Sequence, residues 1–301
     1  MNAIAGLFSS TVSVLAPLLP VALAGLATEY VGVLNIALEG LILLGGFTFV
    51  LVGSQAGAFV GLLAAMIVAA AASWLSDRFA VKAKADPFVV GLGLNLLAPG
   101  LVSLVSQARF GTKGVVPVPQ LATSRLFVYV DGVSSTGLPG GLQNFIAVLA
   151  GHRQSDYLAI FLALLVALVL GTTPFGLRLR ATGANPDALR LAGLDPARIR
   201  GRAFALSGLA CGVSGAVLAA GIGAWVPNLS AGRGWIALVA IYLGGRRLGG
   251  TIVATAIFAL LMAAAGAGQA IPGAQADLLM ALPYLLTACV VVIGSRAGNR
   301  S

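Results

Sequence analysis

The sequence predicts an all-α fold: a polytopic helical bundle of the inner (cytoplasmic) membrane, with about eight to nine spans, one of them short or broken. Three observations carry this reading. Of 301 residues, 59% are hydrophobic and only 9% charged, against roughly 25% charged in ordinary soluble domains. The mean hydropathy is +1.00. The apolar runs reach about 20 residues, the length that crosses a bilayer. These runs are continuous, which excludes the period-two alternation of a β-barrel, and a lipid-exposed backbone must satisfy its own hydrogen bonds, which leaves helices. The net charge of +9 does not point to nucleic acid, because the basic residues sit in short loops between spans, where they set topology.

Taken in order, the spans fall near 11–28, 31–53, 57–75, 87–107, 156–173, 203–224, 234–245, 249–268 and 277–294. The run 234–245 is too short to cross alone and reads as a broken or half helix. Arg78, Lys82 and Lys84 follow the third span; Arg178, Arg180, Arg190, Arg198, Arg200 and Arg202 follow the fifth. Arg246 and Arg247 follow the short span, and Arg296 and Arg300 close the sequence. Arg109, Lys113, Arg125, Arg153 and Arg233 lie on the other side. Making the richer side cytoplasmic places the N-terminus outside; a re-entrant short span would change the parity of the later spans. The opening "MNAIAGLFSS" has no basic residue, so a cleavable signal with a basic head is not expected. The chain reads as one transmembrane unit, 1–301, with an external segment at about 108–155 and a cytoplasmic one at 174–202.

The external segment holds "GVVPVPQ", "DGVSSTGLPGG" and "FIAVLAG". It is too long for a simple connector and reads as packed loops with a short interfacial helix. The cytoplasmic segment reads "PFGLRLRATGANPDALRLAGLDPARIRGR" and carries a net charge of +4. Asn185 is placed to cap a helix, Pro186 suits its first position and Asp187 the positive end of its dipole. Gly193 ends that helix after about two turns, and Asp195-Pro196 starts the next. From the residues alone, this is either a tidy connector or a docking helix with Leu189, Leu191 and Ala192 as anchors.

Resemblance bears on that choice. "RATGANPDALRLAGLD" resembles the coupling-helix segment of the ABC importer permeases for branched-chain amino acids, simple sugars and nucleosides, through Arg180, Ala181, Gly183, Asn185, Pro186, Ala188, Ala192 and Gly193. Leu189 stands where that family has a smaller residue. "FALSGLACGVSGAVLA", "GRGWIALVAIYLGGRRLGG" and "EYVGVLNIALEG" resemble further segments of the family in the same order. "NIALEG" brings the chain nearest the shorter permease of nucleoside or simple-sugar systems. The resemblance implies a type II ABC importer permease-like fold without ATPase activity of its own. It implies a coupling helix at Asn185, Pro186, Asp187, Leu189, Arg190, Leu191, Ala192 and Gly193. The implied partners are a cytoplasmic ABC ATPase that uses ATP and Mg, a second permease subunit in a heterodimer, and an extracytoplasmic substrate-binding protein or lipoprotein. No cofactor is expected on this chain. The substrate expected is a small polar solute carried inward, nucleosides first and simple sugars as the alternative. Tyr30 replaces an arginine of the family pattern, so no ion pair is carried over to Glu29.

The sequence is consistent on its own terms. It has no GxxxxGK[ST] phosphate loop, and one carboxylate inside a span, Glu39, makes no proton relay. A self-sufficient secondary transporter would need inverted repeats, and none stands out. A membrane-embedded enzyme would need a paired constellation that is missing. Four polar or aromatic residues are candidates for the pathway or a helix break: Asn35, Glu39, Phe47 and Asn95. Asn35 and Glu39 share a face if the helix is continuous there. A charged Glu in a span costs on the order of 2.5–3.5 kcal/mol on insertion scales, so it faces a bundle interior or a cavity. It either lines the pathway or satisfies backbone groups at a break. Phe49 shares the ambiguity of Phe47. Trp225 and Trp235 read as interfacial anchors or as stacking surfaces. Cys211 and Cys289 lie in spans as small buried residues without metal spacing. His152, in a polar loop, reads as a surface residue. Gly208, Gly212 and Gly215 have small-residue spacing that lets helices pack closely.

Overall fold

The computed structural model describes residues 3–123 and 151–268. The predicted span 277–294, Cys289, Arg125, Arg296, Arg300 and most of the external segment, "FIAVLAG" included, lie outside the described residues. Among the described residues, seven helices are long and apolar enough to cross a membrane. They are α1 (Ala3–Tyr30), α2 (Leu38–Ala56), α3 (Ala58–Ala83), α4 (Pro87–Phe110), α5 (Gln154–Thr172), α8 (Pro196–Ile222) and α10 (Leu248–Gly268). Between α5 and α8 lie α6 (Pro174–Ala184) and α7 (Pro186–Leu191); the short α9 (Arg233–Leu243) precedes α10. Two strands, β1 (Val116–Pro117) and β2 (Ala224–Trp225), pair antiparallel at one end of the bundle.

Local chemistry accounts for the helix starts. Asp86, Asn185 and Asp195 each precede a proline, and each side chain accepts a hydrogen bond from a first-turn backbone N–H: Phe88 (2.8 Å), Ala188 (3.0 Å) and Ala197 (2.9 Å). Proline at the first helical position lacks a donor that would have had no partner there. Helix α8 is the central post, with 78% of its most apolar stretch buried, whereas α3 and α4 each bury 22% and turn most of their surface outward. Gly208 and Gly212 lie against Ala69 and Ala65 of α3, and Gly215 against Ile42 and Gly46 of α2. A side chain at any of the three would overlap backbone, so α2, α3 and α8 meet at the distance of bare chains.

Contacts at the two ends sort the loops. At one, Thr123 meets Ser155 at 2.9 Å and β1 pairs with β2. At the other, Arg180 lies over the Tyr30 ring at 5.6 Å, and Arg246 donates to Glu29 at 3.1 Å. Residues 226–245 therefore run from the end with β2 to the end with Arg180. The eleven-residue α9 covers only about 16 Å at 1.5 Å per residue, and the coil 226–232 supplies the rest. The short span crosses, and the parity of the charge pattern is kept. Glu29 has its ion pair after all, from an arginine more than two hundred positions away rather than next door.

Four sequence readings change. Helix α1 begins near Ala3 rather than residue 11, and its outer half covers His152. His152 is buried, with Nδ1 3.1 Å from Ser13 Oγ and its ring edge-on to Tyr157. Trp225 is not an interfacial anchor: it is 3% exposed and packs edge-on against Phe47 at 5.2 Å. The span read as 31–53 starts at Leu38, because residues 31–37 are not helical.

Candidate functional site

The loss of helix between Tyr30 and Leu38 creates an intramembrane junction. Asn35 lies in the break, so it and Glu39 are not one helical turn apart, as a continuous helix would have placed them. Asn35 is 1% exposed and fully engaged. Its amide nitrogen donates to Ser73 Oγ (3.0 Å) on α3 and Ser207 Oγ (3.1 Å) on α8, and its carbonyl accepts from the Ala37 N–H (3.1 Å). The Asn35 N–H donates to Thr28 Oγ1 at 3.1 Å. Asn95 does the same work from α4: it accepts from the Gly40 N–H and donates to the Ile36 carbonyl, both at 2.8 Å. Two amides thus satisfy backbone groups that no water reaches, the condition for non-helical chain inside a membrane.

Depth follows from the partners. Asn95 is eight residues into α4 and Ser207 eleven into α8, or about 12 and 16 Å from the helix starts. Ser207, however, stands only five residues past Arg202, about 8 Å along the helix, so the Asn35 end of the junction lies in the part of the hydrocarbon layer nearest the arginines, with Glu39 and Asn95 deeper.

Glu39 joins this break to a second one. Its carboxylate accepts from the Gly232 N–H (2.8 Å) and the Gly234 N–H (2.7 Å), the free donors at the start of α9. A carboxylate there also meets the positive end of the helix dipole, worth about 0.3–1 kcal/mol and up to ~2 when partly buried. Gly234 is required by this approach, since any Cβ would overlap the Glu39 backbone. The coil above α9 reaches it through Asn228, Ala231 and Gly232, all at positive φ. Arg233, grouped with the external charges on pattern, starts α9 at the junction. Trp235 follows Gly234 at the same depth and is 40% exposed, so it is not an interfacial anchor. Ala231 is exposed beside it. The junction is closed on the side of α3, α4 and α8 and open on the side of Ala231 and Trp235. Phe47, by contrast, packs with Trp225 and Phe110 in an apolar cluster remote from Glu39.

The segment 174–202 forms a second candidate site. Asn185 caps α7, with Pro186 and Asp187 in its first turn. Ala192 and Gly193 close it: the Leu194 N–H donates to the Leu189 carbonyl and the Gly193 N–H to the Arg190 carbonyl, both at 3.0 Å, with Gly193 at φ +76°. This is a Schellman motif, and Leu194 packs against the apolar cluster to which Leu189 belongs. Leu189 does not belong to the outward face. It is 7% exposed and packs on Val31, Leu179 and Ile199, anchoring α7 to the bundle. Leu191 is 92% exposed, and Arg190, also exposed, pairs with Asp187 at 2.6 Å. Gly183 at the end of α6 presses on the Tyr30 carbonyl, so the stem of α7 touches the chain that leads into the first break.

One ion pair with a buried carboxylate escaped the sequence reading. Asp77, placed beyond the third span, lies within α3 with no exposed side-chain surface, and Arg200 Nε donates to it at 2.5 Å. Its spacing of four from Ser73 is the signal that could have revealed it: both face α8, where Ser73 Oγ donates to the Phe204 carbonyl at 2.7 Å.

Comparisons with known proteins agree with this architecture. The family model described as "Branched-chain amino acid transport system / permease component" matches residues 7–291. The chain is 32% identical to the guanosine ABC transporter permease protein NupQ of Bacillus subtilis, over 90% of this chain and 86% of that one. It is 30% identical to the nucleoside ABC transporter permease protein NupC of Lactococcus lactis, over 92% and 88%. It is 28% identical to the putative glucose ABC transporter permease protein TsgC13 of Haloferax volcanii, over 87% and 77%. No solved structure matches the chain. Seven membrane-length helices among the described residues, a broken-helix junction and a match over nearly the whole length converge: the chain is a multi-pass membrane protein of the branched-chain amino acid transport system permease family.

Proposed function

We propose that this chain is the membrane subunit of an ATP-binding-cassette importer that carries nucleosides inward across the cytoplasmic membrane. The observation behind the reading is α7. Six residues cannot hold a helix on their own. This one is fixed by the Asn185 cap, the Schellman close and the buried Leu189, so Arg190, Leu191 and Ala192 are presented on a rigid outward face. That is what helix-in-groove recognition needs, and a cytoplasmic ABC ATPase is the partner it suits. ATP and Mg belong to that partner, and this chain carries no cofactor. The open side of the junction supports a second permease subunit, most simply a heterodimeric mate. Irregular backbone at membrane depth is tolerated only against protein or a watery cavity, and Ala231 and Trp235 are exposed there in the single chain. An extracytoplasmic binding protein, soluble or lipid-anchored, delivers the solute.

Nucleosides are favoured by the relatives named for guanosine and for nucleosides; simple sugars are the second reading, favoured by the relative named for glucose. The test is uptake of labelled guanosine and labelled glucose by cells that lack their own systems and express this chain with its partners. Guanosine uptake competed by other nucleosides and not by glucose is expected. The reverse pattern transfers the assignment to sugars, and uptake of neither overturns both.

A further inference from the structure

On the outward face of α3 and α8, at the end where Arg180 and Arg246 lie, is a groove of about 630 Å³. Its walls are Trp74, Arg78 and Lys82 from α3, and Arg198, Gly201 and Arg202 from α8. Four cations converge there, and none of the described carboxylates lines it. Asp195 lies 3.1 Å from Arg198, and Asp77, bonded to Arg200, is also 4.0 Å from Arg78. Among the described residues no carboxylate is within ion-pair reach of Lys82 or Arg202. Gly201 keeps the groove open, since a side chain there would overlap the Arg78 guanidinium.

The groove continues into an apolar lane. Ile67, Ala71, Trp74 and Leu75 share the face of α3 that ends in Arg78 and Lys82, by helical spacing. Ile67 is 65% exposed and Leu75 is 56% exposed. Trp74 stands at the changeover, with Arg78 over its ring at 5.6 Å, as indole rings do at the level of lipid headgroups. An apolar lane leading to clustered cations on the cytoplasmic side of a spanning helix pair has the chemistry of an anionic phospholipid site: acyl chains along α3, phosphate among the guanidinium and ammonium groups.

We propose that the α3–α8 groove is a binding site for an anionic phospholipid of the inner leaflet, with Lys82 and Arg202 as the principal phosphate contacts. Native mass spectrometry of the detergent-purified full chain tests it, with phosphatidylglycerol and phosphatidylcholine of matched chains as probes. A retained phosphatidylglycerol, tighter than phosphatidylcholine, is expected. The double variant Lys82→Gln/Arg202→Gln is expected to weaken phosphatidylglycerol binding on the order of tenfold. The double variant Arg178→Gln/Arg247→Gln removes the same charge elsewhere on that side and is expected to change little. Equal losses in the two variants, or no preference between the lipids, would overturn the site. So would displacement of the lipid by millimolar inorganic phosphate, which would reduce it to a phosphate site. Loss of ATPase association in the Lys82/Arg202 variant with lipid binding unchanged would assign the groove to a protein partner and overturn the lipid reading as well.

Discussion

Replacing Glu39 is the most informative single perturbation, because one carboxylate joins two breaks. In the native chain its two oxygens accept from Gly232 and Gly234 at 2.8 and 2.7 Å. Bonds to a charged acceptor contribute about 1.5–3 kcal/mol each. Glu39 is only partly buried, which favours the lower end. Bonds between membrane helices average only about 0.6 kcal/mol, because polar groups find other partners when the helices separate. The two glycine N–H groups are different: they start a helix from a fixed coil, and Glu39 is the acceptor each of them has among the described residues. Glu39→Ala therefore costs about 3 kcal/mol. Glu39→Gln, which keeps one neutral acceptor oxygen, costs about half of that. Unfolding of the purified chain in mixed micelles, with a rising fraction of anionic detergent, reads both values. The order wild type, Gln, Ala is the prediction. A Glu39→Ala chain that unfolds at the wild-type midpoint would refute the cap, and one that also transports at the wild-type rate would remove Glu39 from the pathway.

The remaining predictions use the same junctions. Gly234→Ala puts a Cβ into the Glu39 backbone and should destabilise at least as much as Glu39→Ala, read by the same unfolding assay. Asn35→Ala removes two donations and one acceptance from a site that is 1% exposed; a loss of about 2–4 kcal/mol is expected from groups left unpaired. Asp77→Asn should cost about 2–3 kcal/mol by leaving the partly buried Arg200 without its carboxylate, while Asp77→Leu/Arg200→Leu should recover most of it. Leu191→Arg and Leu189→Arg should separate docking from folding. The first, at a 92% exposed position, leaves unfolding unchanged and abolishes co-purification of the ATPase; the second, at a 7% exposed position, lowers the yield of folded chain.

What the sequence made legible was local. The Asn185-Pro186 start, the Gly193 stop and the Asp195-Pro196 restart are written in neighbouring residues, and the helices form where those signals stand. The shortness of α9 was readable for the same reason, from length against bilayer thickness. The partners were not readable. Glu39 to Gly234, Asn35 to Ser207, Asp77 to Arg200 and Glu29 to Arg246 join residues more than a hundred positions apart. No spacing rule reports such pairs. Leu189 shows the limit within a single turn. Its neighbours read alike as apolar anchors, and only the packing of Val31 and Ile199 against it decides that it faces inward while Leu191 faces out.

We propose that solute passes the junction only when α7 is driven by an ATP-hydrolysing partner. The direct measurement is nucleoside accumulation in liposomes that contain this chain, its permease mate and the ATPase, with the binding protein supplied outside. Uptake that requires ATP, accompanies stimulated hydrolysis and disappears when Asn185–Ala192 is replaced by a neutral linker is the predicted result. Uptake by this chain alone without ATP, or unchanged uptake with the linker in place, would contradict the account.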